Sequence, residues 1–306
     1  MKSIRLIFFI LMVAGPVSVM AQHSDDTEYR QQLNVWQDSL KSLSHQIYNK
    51  NSEPERYNAS FKFIKTLVSA LKTPNSFHFN FDSLKAISIQ SPPDKKFRIF
   101  SWYVMNNDGS YRYYGTIQMN NPEGKLEMYP LIDHTSDIKN PLDTVTSNDK
   151  WYGAQYYRII PVTANVKIPY YILLGLKGNT IKSNKKVIEI LHFKDGRPQF
   201  GMSVFDADRT NPDKKRVIFE YTRQASMVLN YDPKTAMIVF DHLAPPDPNL
   251  EGKYDLYGPD FSYDGYKLQN GRLKFVSDLK LENPPTDKDE FFNDPRKIRE
   301  GGSGKQ

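Results

Sequence analysis

The stretch VIEILHFKDGRPQF, residues 187–200, decides how this chain folds. Its first half is a run of Val, Ile, Leu and Phe that suits a pleated strand, and the Asp195-Gly196 pair behind it tolerates the two positive φ angles of a type I′ turn. The chain is therefore expected to reverse at once, pairing the strand that leads to Phe200 with the strand before the turn. The segment YKLQNGRLKF, residues 266–275, repeats the pattern around Asn270-Gly271, and Asp108-Gly109 marks a third hairpin.

Outward from these turns the same texture continues. Short segments rich in Tyr, Phe, Val and Ile fall at residues 97–105, 111–119, 125–132, 151–162, 170–176, 216–221, 227–231, 237–243, 265–268 and 272–276. The strand after Asp195-Gly196 is expected over 199–205, and the alternation of Phe77, Phe79 and Phe81, then Ile87 and Ile89, adds strand pattern ahead of them all. No amphipathic helical segment lies between them, so neighbours in sequence should pair antiparallel. The expected fold is all-β, an antiparallel meander over residues 76–282; sandwich, barrel and small propeller each accommodate about a dozen strands.

Ahead of the β domain, residues 22–75 predict a helical hairpin. Tyr29, Leu33, Trp36, Leu40, Leu43 and Ile47 recur at alternating spacings of four and three, with Asp25 and Glu28 placed like a capping box. Ser52 and Pro54 open a second helix whose stripe is Tyr57, Phe61, Ile64, Val68 and Leu71, and Thr73-Pro74 closes it. Exposed Trp36 and Leu40 would make this hairpin a docking module; burial would make it a layer of the fold. At the other end, residues 283–306 hold Pro284-Pro285, mixed charge and a Gly-Gly-Ser-Gly run, too little apolar surface to order a tail.

Residues 1–21 read as a signal peptide: Lys2 and Arg5, an apolar run over 6–14, Gly15-Pro16, then Val19-Met20-Ala21, with cleavage expected before Gln22. The apolar run is too short to span a membrane of about 30 Å, and no later stretch approaches the required length, so no transmembrane segment is expected in the mature chain. Export to the periplasm or the exterior follows. The 306 residues contain no cysteine, which excludes disulfides, thiolate metal sites and thiol chemistry. Removing Lys2 and Arg5 leaves 39 of 41 basic residues against 35 acidic ones, a net charge of +4 that does not single out nucleic acid as a partner.

Catalytic signatures are mostly missing. The chain has no G-x-S-x-G, H-E-x-x-H, P-loop or G-x-G-x-x-G motif, and no two of its six histidines share metal-ligand spacing. Asp206, Asp208, Asn211 and Asp213 resemble a calcium loop but lack its glycine and closing glutamate, so no metal and no cofactor are expected. His134 near Asp133 and Asp137, His192 near Asp195, and Asp241-His242 could each be half of an acid–base pair if the fold supplies the rest. Three Lys-Lys pairs, Lys95-Lys96, Lys185-Lys186 and Lys214-Lys215, enter strands; they guard sheet edges or form a basic rim if they share a face.

Residues 254–266 stand out chemically. Tyr254, Tyr257, Asp260, Phe261, Tyr263, Asp264 and Tyr266 crowd there beside Gly258-Pro259 and Gly265, reached through the stiff Ala244-Pro245-Pro246-Asp247-Pro248 connector. Aromatic faces stack on sugar rings and carboxylates accept hydroxyl hydrogen bonds, so a long aromatic-acidic loop is either a glycan site or, the more frequent case, a folded-back loop whose tyrosines cap the end of the barrel or sandwich. The phrases at residues 91–102, 241–246 and 257–264 resemble a group of uncharacterised secreted proteins of the Bacteroidota type. That resemblance implies an envelope or secreted location and a mostly β fold, and carries over no catalytic residue. The leading expectation is a non-catalytic binding or scaffolding protein of the cell envelope, with a glycan or an envelope protein as partner. The alternative is a glycan-active hydrolase using Asp260 and Asp264 as acid and base.

Overall fold

A computed structural model of the chain describes residues 17–206 and 214–280. The expected tail, the greater part of the signal peptide, and Asp208, Asn211 and Asp213 of the acidic turn lie outside the described residues. Among the described residues two α-helices, α1 (Val17–Asn49) and α2 (Glu53–Lys72), precede 14 strands in three antiparallel sheets, none closed into a barrel. The first sheet runs β1 (Ser88–Gln90), β2 (Phe97–Met105), β3 (Tyr111–Met119), β4 (Met128–Ile132) in chain order. The central sheet contains β5 (Thr146–Ser147), β6 (Gln155–Val162), β7 (Tyr170–Gly178), β8 (Ser183–Lys194), β9 (Arg197–Phe200) and β10 (Val217–Thr222), ordered β5-β9-β8-β7-β6 with β10 on the first half of β8. The third holds β11 (Leu229–Asp232), β12 (Met237–Ala244), β13 (Gly258–Gln269) and β14 (Arg272–Val276), again in chain order.

The cores show how these pieces stack. Strand periodicity sends alternate residues of the central sheet to opposite sides: Ile172, Leu174, Ile188 and Ile190 pack on Ile238, Phe240, Tyr266 and Leu273 of the third sheet. Tyr171, Leu173, Val187 and Leu191 pack the other way, on Phe97, Ile99, Tyr113 and Ile117 of the first sheet. Both faces of β7 and β8 are covered, so their sequences are near-continuous apolar runs rather than alternating ones. The helices form the outermost layer: Leu33, Leu40, Ile47, Phe63 and Leu67 share one core with Phe100, Trp102 and Val104 of β2. Leu40 is fully buried there, which makes the hairpin a layer of the fold.

Several local expectations are corrected. Phe77, Phe79 and Phe81 do not form a strand; Ser76–His78 is a short 3-10 turn and Phe81 has φ +56°. The cause is Arg98, whose guanidinium donates to the carbonyls of Ser76 and Phe79 and lies within 5.4 Å of the Phe77, Phe81 and Phe100 ring centres. The loop wraps this buried cation, and burial lowers the Arg98 pKa to about 9. Helix α1 already starts at Val17, so Asp25 lies inside it and helix runs across the expected cleavage position. On α2 the buried residues are Arg56, Ala59, Ser60, Phe63, Leu67, Ala70 and Leu71; of the expected stripe Leu71 is buried and Tyr57 and Ile64 pack partly on the same core, while Phe61 is 56 % exposed. Ser52 occupies the N-cap position, but its hydroxyl donates to Glu55 at 2.8 Å instead of capping the backbone. The turns at Asp195-Gly196 and Asn270-Gly271 have both φ angles positive as expected, whereas at Asp108-Gly109 only Gly109 does, and Asn106 and Ser110 close that wider loop.

Candidate functional site

The β12–β13 pair builds the site. Its register runs Ile238↔Tyr266, Phe240↔Asp264 and Asp241↔Tyr263, then resumes at Leu243↔Pro259. Asp260, Phe261 and Ser262 therefore stand opposite His242 alone, in a wide bulge. Asp260 ties the bulge together by accepting from the Ser262 amide at 3.0 Å and the Ser262 hydroxyl at 2.7 Å, bonds that lower its pKa below the usual carboxylate value. Phe261 is held at φ +71° with its side chain 96 % exposed. A bulky L-residue in that region carries backbone strain, and bulges often re-aim side chains in this way.

One inner-face row of the third sheet runs Ile238, Phe240, His242, so an apolar series ends in an imidazole. His242 Nδ1 pairs with Asp264 Oδ2 at 2.8 Å, and the Asp278 amide donates to Asp264 Oδ1 at 3.1 Å. The His242 Nε2 faces Asp260 Oδ2 at 4.0 Å. The Asp264 hydrogen bond, with help from the charges of Asp264, Asp260 and Asp278, raises the His242 pKa against a smaller opposing effect of burial. The imidazole is thus bracketed by two carboxylates.

Beside this pair the third sheet and β10 part to leave a cleft of about 550 Å³. Phe219, Phe240, Tyr266 and Phe275 floor it, with ring centres 4.6 Å apart for Phe219–Phe240 and 5.6 Å for Phe240–Tyr266 and Tyr266–Phe275. His242, Asp264, Lys274, Lys214 and Asp206 supply the polar rim. A concave aromatic floor with a few convergent polar groups and a titratable pair is the usual physical form of a small-ligand site.

Residues 254–266 are not a loop. Tyr254–Leu256 is a 3-10 turn and β13 begins at Gly258, so the Tyr–Asp alternation belongs to a strand. Of the expected site residues, Asp260, Phe261 and Asp264 gather at His242, and Tyr266 lies below them in the cleft floor. Tyr263 is half-buried, and its carbonyl accepts from the Leu279 amide. Tyr254 and Tyr257 pack together 5.0 Å apart elsewhere, where Tyr254 faces the β7–β8 turn and the Tyr257 hydroxyl accepts from the Gly252 amide. His242 was legible only as half of a pair, because its partner comes from the next strand.

The remaining candidates disperse. His134 pairs with Asp137 at 2.7 Å on the surface, and the His192 Nδ1 is buried without a hydrogen-bond partner among the described residues. The lysine pairs do not form one basic rim: Lys185 bonds Glu220, Lys186 reaches the Met227 carbonyl, and Lys215 meets the Ser203 hydroxyl. Among the described residues no group of three or more His, Asp or Glu is placed to hold a metal, and no helix is long and apolar enough to cross a membrane. No protein-family model matches the chain, and no curated protein or solved structure is similar to it.

Proposed function

We propose that the protein is an exported, non-catalytic binding protein of the cell envelope that holds a carbohydrate in the cleft between β10 and the β12–β14 face. The observation that carries this is the aromatic floor of Phe219, Phe240, Tyr266 and Phe275 beneath a rim of fixed polar groups. Sugar rings stack on such faces through their C–H surfaces, while Asp260, Asp264 and His242 meet hydroxyl groups at the edge. Phe261 extends the aromatic surface beyond the cleft. Export is supported by the pattern of residues 1–21, and N-terminal sequencing of the secreted chain is expected to begin at Gln22.

Hydrolysis by Asp260 and Asp264 has one observation in its favour, the imidazole that Asp264 orients as a base-orienting carboxylate does. Against it, that same imidazole occupies the space between the two carboxylates where a scissile bond would lie. A thermal-shift screen against soluble envelope and dietary polysaccharides tests the proposal. The expected result is a salt-insensitive rise in melting temperature with one polymer class, lost in Phe275→Ala, with the polymer recovered intact. Release of new reducing ends would replace binding by hydrolysis, and no shift with any polymer would overturn the carbohydrate assignment.

A further inference from the structure

We propose that the notch between residues 29–33 of α1 and residues 74–79 after α2 is a binding site for a small organic carboxylate. The notch has a volume of about 160 Å³, close to the roughly 150 Å³ that holds a benzene-sized guest. Leu33, Pro74 and Phe79 give it apolar walls, while Tyr29, Arg30 and His78 bring polar groups to it. Among the described residues neither the Arg30 guanidinium nor the His78 imidazole has a hydrogen-bond or ion-pair partner. Glu28 and Asp82 lie close by in sequence, but no carboxylate lines the notch. A guanidinium presents a planar fork of donors that matches a carboxylate bidentately, so an unpaired one beside an unpaired imidazole suits an anion.

A second observation points the same way from beneath. Arg98 is buried under the segment that forms one side of the notch, and its guanidinium donates to the Ser76 carbonyl at 2.8 Å, the Phe79 carbonyl at 2.5 Å and Gln118 Oε1 at 2.8 Å. All three acceptors are neutral, and no carboxylate pairs with Arg98 among the described residues. Burying a cation without a counter-ion is costly, and desolvation is what lowers the Arg98 pKa. Phe79 lines the notch while its carbonyl holds Arg98, so an anion seated there supplies negative charge on the far side of the 76–79 segment. The apolar walls then choose between anions. Inorganic phosphate would leave Leu33, Pro74 and Phe79 facing a hydrated ion, whereas an aromatic carboxylate buries its ring against them and sets its charge at Arg30 and His78. The helices form the layer farthest from the third sheet, so this site is separate from the cleft at His242.

Thermal unfolding of the purified protein with benzoate, benzamide or inorganic phosphate at equal millimolar concentration tests this. The expected result is a rise in melting temperature with benzoate and a smaller one or none with the other two, since benzamide keeps the ring without the charge and phosphate keeps the charge without the ring. Arg30→Met and His78→Ala change exposed, unpaired side chains and should keep the native circular dichroism. Each should weaken benzoate binding in calorimetry by about tenfold or more, as loss of a hydrogen bond to a charged group does. Phe275→Ala, in the cleft of the third sheet, should leave benzoate affinity unchanged. No shift with benzoate overturns the proposal, and so do equal shifts with benzoate and benzamide or tighter binding of phosphate. Benzoate affinity that survives the double change Arg30→Met with His78→Ala, or that disappears in Phe275→Ala, overturns it as well by placing the ligand elsewhere.

Discussion

Arg216 Nε and Glu189 Oε2 stand 2.8 Å apart with both side chains fully buried, and His242 Nδ1 and Asp264 Oδ2 stand 2.8 Å apart with the imidazole 47 % exposed. The distances agree, but the surroundings make the two pairs different devices. Glu189 sits in β8 among residues that pack on the first sheet, and burial raises its pKa while Arg216 pulls it back down. The rest of the Arg216 guanidinium donates to the carbonyls of Pro141, Thr144 and Phe200, stitching the 141–144 segment to β9. A pair so enclosed fixes geometry and exchanges nothing with solvent. The His242–Asp264 pair closes an apolar row at the open end of the third sheet, where solvent reaches the imidazole.

The largest effect should come from breaking the enclosed pair on one side only. Arg216→Met leaves a carboxylate buried without its cation and should cost about 3–5 kcal/mol in urea unfolding. The double change Arg216→Met with Glu189→Leu should recover much of that loss, because the penalty belongs to the unpaired charge more than to the missing attraction. At the rim, Asp264→Asn should cost about 0.5–1 kcal/mol, since water screens the half-exposed imidazole and can replace its partner. If the two single changes cost the same, solvent access is not what separates the pairs.

A second contrast concerns the sign of pH dependence. His242 has a native pKa raised above its ordinary 6.5, so its pair contributes stability that is fully present below that ordinary value. The contribution is lost as pH rises through the native pKa. Lys177 behaves in the opposite sense. Its ammonium is buried against Tyr113 and Tyr152, donates to Gly153 and Thr135, and is brought down to about 7 from 10.5 by desolvation. Between those values the unfolded chain holds a proton that the native lysine has shed, so stability should climb as pH rises. Unfolding free energies measured from pH 6 to 10 should show the early fall removed by Asp264→Asn and the later rise removed by Lys177→Met. A profile unchanged by either substitution would mean that neither group titrates in this range.

How much of this was legible in the sequence differs between the two pairs for the same physical reason. The tight turns at Asp195-Gly196 and Asn270-Gly271 and most of the strands are written in local residue preferences and appear where expected, whereas Phe77–Phe81 forms no strand, the strand after Asp195-Gly196 ends at Phe200, and β13 begins at Gly258. Glu189 inside an apolar run hides its partner, because Arg216 comes from a segment on the far side of β9. The β12–β13 bulge is equally silent: Asp260, Phe261 and Ser262 look like part of a loop until the register shows them facing one residue. Residues 254–266 were recognised by composition, but composition does not say that Tyr257 and Tyr266 point inward while Phe261 points out. The stripe on α2 misled because two adjacent faces are apolar, and only contact with Trp102 decides that Phe63 is the buried one.

The smallest effect on stability should come from Phe261, and its direction separates the rim from the core. At φ +71° a side chain with a Cβ is strained by roughly 1 kcal/mol, while glycine adopts that angle freely but loses more backbone entropy on folding. The two terms oppose each other, so Phe261→Gly should leave stability level or raise it by up to about 0.5 kcal/mol. Phe261→Ala keeps the strain and removes only an exposed ring, so it should fall within about 0.5 kcal/mol of the wild type. Both changes should weaken carbohydrate binding if the ring is a contact. A residue whose loss spares the fold and costs the ligand is the inverse of Arg216, whose loss costs the fold wherever the ligand sits. Unfolding curves and binding isotherms on the same two variants decide the matter. Phe261→Gly with full affinity would assign the strained bulge to shaping the Asp260–His242 edge alone, and a clear loss of stability in Phe261→Ala would mean that the ring packs rather than binds.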